Sequence, residues 1–140
     1  MSTKTSRGLK NLNPGNIRKS AVKYTGEKSH STDPSFKQFE SLEAGYRAIF
    51  VLLHTYRVRG YADTIESMIS RYAPPSENNT EMYIRRVERQ SATLRDKKLN
   101  TLSAEQMIPI VAAISEVENG TTADLTAIQA GWQWFERDYK

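Results

Sequence analysis

Twenty consecutive residues in the middle of the chain, SLEAGYRAIFVLLHTYRVRG (41–60), limit the possible folds more than any other stretch. Leu42, Tyr46, Ile49, Leu53 and Tyr56 recur at the three-and-four spacing of one helix face, Ser41 stands where a cap is needed, and Gly60 can end the run. An apolar stripe of this length holds a helix in place only if other elements cover it. The pattern therefore predicts the central helix of a helical domain, and the rest of the chain must supply the cover.

Four further segments fit that task. DTIESMISRYAPP (63–75) has Asp63 and Glu66 at capping-box spacing, an apolar face of Ile65, Met68 and Ile69, and a stop at Pro74-Pro75. EMYIRRVERQSATL (81–94) follows with Asn79 or Thr80 as its cap and Tyr83, Ile84 and Val87 facing inward. LSAEQMIPIVAAISEVENG (102–120) pairs Ser103 with Gln106 at its start and ends on Gly120, and Pro109 is expected to kink or restart its first turns. ADLTAIQAGWQWFERDY (123–139) places Leu125, Ile128, Trp132, Phe135 and Tyr139 on one stripe, which docks the C-terminus despite Gly131. Before Phe39 the chain is rich in Gly, Ser, Thr, Asn and Lys, with turns at Asn13-Pro14-Gly15-Asn16 and Thr25-Gly26 and short extended pieces in NIRK, VKYT and FKQF. The expected fold class is mainly α (α+β): about five helices with a small N-terminal loop and β region, one domain over 1–140, and a flexible start over 1–12.

Composition excludes several function classes. The chain has no cysteine and two histidines, His30 and His54, so thiol catalysis, disulfides and Cys- or multi-His metal sites are not expected, and no cofactor or metal is assigned. No apolar run approaches the roughly 18 residues of a membrane span. The opening residues lack the apolar core of a secretory signal, so the expectation is synthesis in a cytoplasm without a signal peptide. The formal charge of +4 permits an acidic partner. Its basic clusters, YIRRVERQ and RDKK, are interleaved with Glu88 and Asp96 and read as solvated helix faces, so no specific nucleic acid is expected.

The 102–120 helix carries the one acid that breaks its own pattern. At about 100° per residue, Glu118 lies within roughly 20° of Met107 and Val111 and about 40° from Ile114, whereas Glu116 falls about 200° from Ile114 and is expected to face solvent. An acid on an apolar face at a helix C-terminus loses hydration and meets the negative end of the helix dipole, and both effects favour its protonated form. That is the environment of a general acid. The competing reading bends Glu118 into water or pairs it with Arg18, Arg47 or Arg71.

Several spaced segments add a resemblance: GLKNLNPGNIR, YTG, DPSFKQFESLEAGYRAIFVLLHTYRVRG, RYAPPSENNTEMYIRRV and VENG, spanning residues 8 to 120. In this order they resemble a family of phage and prophage virion-associated structural proteins, with Tyr24 standing where the family pattern has tryptophan. NLNPGNIR, FKQFESLEAGYRAIF and RYAPPSENNTEMYIRRV are also similar in order to the core of lysozyme-like glucosaminidases and lytic transglycosylases. In those enzymes the helix bearing the acid comes first; here AAISEVENG, with the form of that helix, comes last. The resemblance thus implies a lysozyme-like fold, circularly permuted, with Glu118 in the place of the catalytic glutamate.

What it implies for function is cleavage of peptidoglycan glycan strands, with Glu118 as catalytic acid and Asn16, Arg18, Glu77, Asn78, Asn79 and Tyr83 lining the glycan site. Glu40, Glu43 and Glu77 are the candidates for a second carboxylate; alternatively the substrate's own acetamido group assists, as in a lytic transglycosylase. Tyr72 and Tyr83 fit a core role as well as a sugar-binding one. The partners implied are glycan strands and other virion proteins, and the place of action is a cell wall or a phage virion. A reading from a different class is a non-catalytic virion structural or cell-wall-binding module that keeps the lysozyme-like shape.

Overall fold

The computed structural model describes residues 5–140, and among them the chain is mainly α-helical. Residues 1–4 of the expected flexible start lie outside the described residues; Arg7–Lys10 form a short helix, α1, capped by Ser6. The five helices expected from the pattern follow as α2 (Leu42–Val58), α3 (Ile65–Tyr72), α4 (Thr80–Ser91), α5 (Ala104–Asn119) and α6 (Leu125–Tyr139).

The caps explain most of the boundaries. Ser41 accepts from the Ala44 amide, Asn79 from Met82 and Ser103 from Gln106, while Gly120 ends α5 in the left-handed region at φ 66°. α3 begins one residue later than its acidic pair predicts. Thr64 and Ser67 form the reciprocal capping box, and Asp63 stays outside the helix, where its carbonyl accepts from the Leu99 amide at 2.8 Å. α5 runs through Pro109 without a break, where a restart of its first turns was the alternative.

The α2 stripe is the centre of the core. Tyr46, Ile49, Phe50 and Leu53 are buried on it and meet Ile128, Trp132 and Phe135 of α6. Phe50 packs edge-on against Trp132 with ring centroids 5.0 Å apart, a favourable aromatic geometry. Gly131, which looked like a weakness of α6, is what lets the two helices approach: a Cβ there would stand 2.9 Å from both the Arg47 amide nitrogen and the Glu43 carbonyl oxygen. α4 packs on α5 and α3 on α4, so α5 lies between the α3–α4 pair and the α2–α6 pair. The ends of the α6 stripe, Leu125 and Tyr139, remain exposed.

The expected N-terminal β region is reduced to two isolated antiparallel bridges, Arg18 with Phe36 and Glu27 with Phe39. Lys37 shows why no longer ladder forms. Its side chain is 1% exposed, and its ammonium donates to the carbonyls of Ser20 and Val22 and to both oxygens of Glu27. A buried side-chain cation thus takes carbonyl acceptors that a neighbouring strand would otherwise use.

His54 is structural. Its Nδ1 lies 2.7 Å from the Thr101 hydroxyl, and its ring meets Phe135 and Tyr139 edge-on. Among the described residues no helix is long and apolar enough to cross a membrane, and no cluster of three metal-ligating side chains occurs.

Candidate active-site cleft

The site is built where the C-terminus of α5 meets the turn after α1. Asn13, fully buried, organises that turn. Its side-chain amide donates to the carbonyls of Ile17 and Lys37, and its oxygen accepts from the Ile17 amide at 2.9 Å. Pro14 and Gly15 make the bend, and Gly15 has no room for a side chain: a Cβ would lie 2.9 Å from two carbon atoms of Ile49. The Tyr72 hydroxyl donates to the Gly15 carbonyl, tying the turn to the end of α3. Asn16 then adopts the left-handed region at φ 50°, a conformation that Asn tolerates better than most residues.

This conformation aims the Asn16 amide at α5. Its Nδ2 donates to Glu118 Oε1 at 2.8 Å, joining residues 102 positions apart. The Tyr83 hydroxyl of α4 donates to the other oxygen, Oε2, at 2.9 Å. Asn119 completes the junction by donating to the carbonyls of Pro14 and Ser115 and accepting from the Ser6 hydroxyl at 2.6 Å. The segment around α1 and the end of α5 are therefore joined at the carboxylate. Glu118 is partly buried and makes no ion pair with any described residue; Arg18 goes to Glu77, Arg47 to Asp138, and Arg71 over the ring of Tyr61.

Two cavities meet at Glu118. One, of about 360 Å³, is walled by Gly15, Asn16, Arg18, Tyr72, Glu77 and Asn78 among others. The second, of about 780 Å³, runs along α4 past Asn79, Tyr83 and Arg86. All six residues expected to line a glycan site thus border one cavity or the other. Asn79 does so while its side chain caps α4, and Arg18 while it holds Glu77 at 3.4 Å and lies over the Phe36 ring. Of the three candidate second carboxylates only Glu77 lines the cleft; Glu43 sits in the first turn of α2 and Glu40 is exposed at its entrance.

Burial, and after it the charge of Glu118, push the phenols of Tyr72 and Tyr83 well above the ordinary tyrosine range. Both therefore remain protonated donors across the physiological pH range. Tyr83 is a buried core residue whose hydroxyl reaches Glu118.

Glu116 departs from its expected place in solvent. Its carboxylate accepts from Gln90 at 2.9 Å and from the Ala123 amide at 3.1 Å, with Arg86 at 3.6 Å. The face of α5 opposite Ile114 is covered by the end of α4 and the loop into α6, which the periodicity of one helix cannot reveal. Sequence reasoning also missed Asn13, Ser6 and Asn119. The only signal for Asn13 and Asn119 was a density of Asn around the turn and beside the acid, which reads equally well as ordinary loop chemistry, and Ser6 carried none.

No family model matches the chain. Protein P5 of Pseudoalteromonas phage PM2 is 35% identical to it over 133 residues, which cover 92% of this chain and 81% of that protein.

Proposed function

Since the chain belongs to the family of Protein P5 of Pseudoalteromonas phage PM2, we propose that it is a phage-related enzyme that cleaves the glycan strands of peptidoglycan, with Glu118 as general acid. One observation supports this reading above the others. A partly buried glutamate with no cationic partner among the described residues stands where two cavities join, fixed by Asn16 and Tyr83. A carboxylate kept for structure alone is normally paired or solvated; one fixed at a cleft is placed for a substrate.

In the proposed reaction the Glu118 carboxyl gives a proton to the glycosidic oxygen as the bond to the anomeric carbon breaks. Asn16 and Tyr83 fix the carboxyl plane, so its proton can be presented along one direction. Glu77, on the same cleft, is the candidate to take a proton from the water that attacks the opposite face of the sugar, as in an inverting hydrolase. If the substrate's acetamido group assists instead, its oxygen bonds to the anomeric carbon as the leaving oxygen departs, the sugar's own hydroxyl then displaces it and returns a proton to the Glu118 carboxylate, and no second carboxylate is needed. The place of action proposed is the cell wall during phage entry or release, with other virion proteins as partners.

The second reading, a non-catalytic virion or wall-binding module, draws on the same two hydrogen bonds: both oxygens of Glu118 are already engaged. Glu118→Gln separates the two. A glutamine can accept from Asn16 through its oxygen and donate to the Tyr83 hydroxyl through its amide, so the fold is expected to persist while release of sugars from purified sacculi falls at least a hundredfold. Mass spectrometry of the products then names the reaction, an anhydro end marking transglycosylation and a reducing end hydrolysis. Undiminished release by the variant refutes the assignment of Glu118. Co-sedimentation with sacculi without any cleavage by the native chain establishes the binding module.

A further inference from the structure

The cleft does not end at the residues around Glu118. Val22, Tyr24, Leu52 and Tyr56 wall both the 360 Å³ cavity and a third one of about 370 Å³, so the groove continues past the two tyrosines onto the outer side of α2. The charge changes along the way. In the 360 Å³ cavity the walls carry Glu77 and Glu118 against a single cation, Arg18, and in the 780 Å³ cavity they carry Glu116 and Glu118 against Arg85, Arg86 and Arg89. In the extension they carry Lys23, Arg47 and Arg59 and no carboxylate.

The cations are not all spent on the fold. Arg47 is 4% exposed, gives one nitrogen to Asp138 at 2.8 Å and lies over the rings of Trp134 and Tyr139, yet its buried Nε has no acceptor. An orphaned guanidinium N–H is a cost that native structures rarely leave without reason. Arg59 makes no ion pair with any described residue, and Lys23 has only Glu27 at 3.4 Å, a carboxylate it shares with Lys37. Around these cations stand the rings of Tyr24, Tyr56, Tyr61 and Tyr139. Tyrosine offers an apolar face with a hydroxyl at its edge, which suits a sugar ring. A neutral sugar needs no cation, whereas guanidinium groups match a carboxylate in shape and charge.

We infer that the extension is a subsite for a carboxylate-bearing sugar, so that the groove grips a glycan strand through an acidic substituent at one end while Glu118 acts farther along. This inference rests on the glycan-cleaving reading. The carboxylate has two possible sources with the same chemistry: the lactyl group of a muramic acid freed of its peptide, or the stem peptide itself. The strand would enter with a fixed polarity, because only one arm of the groove is purely cationic.

The test is calorimetric titration of the full chain carrying Glu118→Gln, which prevents turnover. The probes are chitotetraose, a tetrasaccharide of alternating N-acetylglucosamine and N-acetylmuramic acid, and the same tetrasaccharide bearing tetrapeptide stems. We expect at least one acidic probe to bind ten times more tightly than chitotetraose. Adding Lys23→Gln and Arg59→Gln, both surface changes, should bring that ratio to about one. Preference for the peptide-free probe assigns the lactyl group, and preference for the stemmed probe alone assigns the peptide. Equal affinity for neutral and acidic probes, a ratio that the double change does not move, or tight binding of a duplex oligonucleotide without saccharide binding each overturns the inference. Release of sugars from sacculi by the native chain, measured beside it, keeps the two ideas apart. Glu118-dependent cleavage without acidic preference sinks the subsite alone, and acidic preference without cleavage sinks the enzyme alone.

Discussion

Asn16 does two separable things, and a pair of substitutions can measure each. It holds a left-handed backbone conformation at φ 50°, and its side chain donates to Glu118 at 2.8 Å. Asn16→Gly removes the hydrogen bond but relieves the backbone; Asn16→Ala removes the bond and keeps the strain. A hydrogen bond to a charged group contributes about 1.5–3 kcal/mol, and the left-handed conformation costs an ordinary residue roughly 1–2 kcal/mol. The glycine variant should therefore lose about 1–2 kcal/mol of folding stability, and the alanine variant about 1 kcal/mol more. Urea unfolding followed by circular dichroism resolves differences of that size. If the lost bond is the one to Glu118, then in a Glu118→Ala background the cost of Asn16→Gly should shrink by about 1 kcal/mol or more, since its partner has gone. Equal losses for glycine and alanine would show that the backbone conformation is not strained as argued. Costs that are unchanged in the Glu118→Ala background would show that the two side chains are not coupled, and the geometry of the proposed acid would fail with them.

Four other outcomes follow from the structure. Lys37→Met should cost up to about 3–5 kcal/mol, because it leaves the buried Glu27 with only the exposed Lys23 at 3.4 Å as a cation, whereas adding Glu27→Gln to it should recover part of that loss in the same urea assay. Gly131→Ala should destabilise by about 1–2 kcal/mol despite the better helix propensity of alanine, since the added methyl meets backbone of α2 that cannot move without parting two helices; a stabilised variant would refute the close approach. Glu116→Gln should lower stability by about 1 kcal/mol and leave sugar release unchanged, the reverse of Glu118→Gln. Acid should weaken the fold in a defined window: the hydrogen bond from Arg95 brings Glu81 down to about 2, so its contribution is complete above its ordinary value near 4.5 and is lost as pH falls from there toward 2. Asp33, held below the usual carboxylate range chiefly by Arg7, acts with the same sign. Because Glu81 is exposed the loss is modest, and Arg95→Gln should flatten the acid limb of a pH series of urea midpoints.

The helices were legible because each one buries a stripe that its own sequence spells out. α2 shows this best: four of its core residues recur at helical spacing between a serine cap and a glycine stop, and each of these signals is local. The places where the pattern misled are those where a second element decides. Gly131 reads as a defect until α2 is beside it, and Glu116 reads as solvated until Gln90 and the Ala123 amide cover it. The small β region is as slight as two bridges, Arg18 with Phe36 and Glu27 with Phe39, for a related reason. Its pieces are extended, but a buried lysine answers carbonyls that strand pairing would have used, and no period in the sequence announces a side chain acting as a strand.

The candidate site divides in the same way. That Glu118 stands on an inward face follows from rotation about one helix axis, and the structure places it there, but rotation cannot say what it faces. The neighbour came from the order of motifs, which set NPGNIR beside the glutamate from the other end of the chain, and the 2.8 Å contact between Asn16 and Glu118 is that juxtaposition in atoms. Neither source of inference could see the stitching that makes it rigid. Asn13, Tyr72 and Asn119 each spend polar groups on backbone atoms of the Asn13–Ile17 turn, Asn13 also on the Lys37 carbonyl and Asn119 on α5, so their role depends on where carbonyls point after folding. The turn is thereby held from three sides before Asn16 contributes anything, and the left-handed conformation at Asn16 is imposed on it by its surroundings. An acid whose orienting partner is itself fixed in this way can keep one direction through a reaction, which is the property that a general acid in a cleft requires.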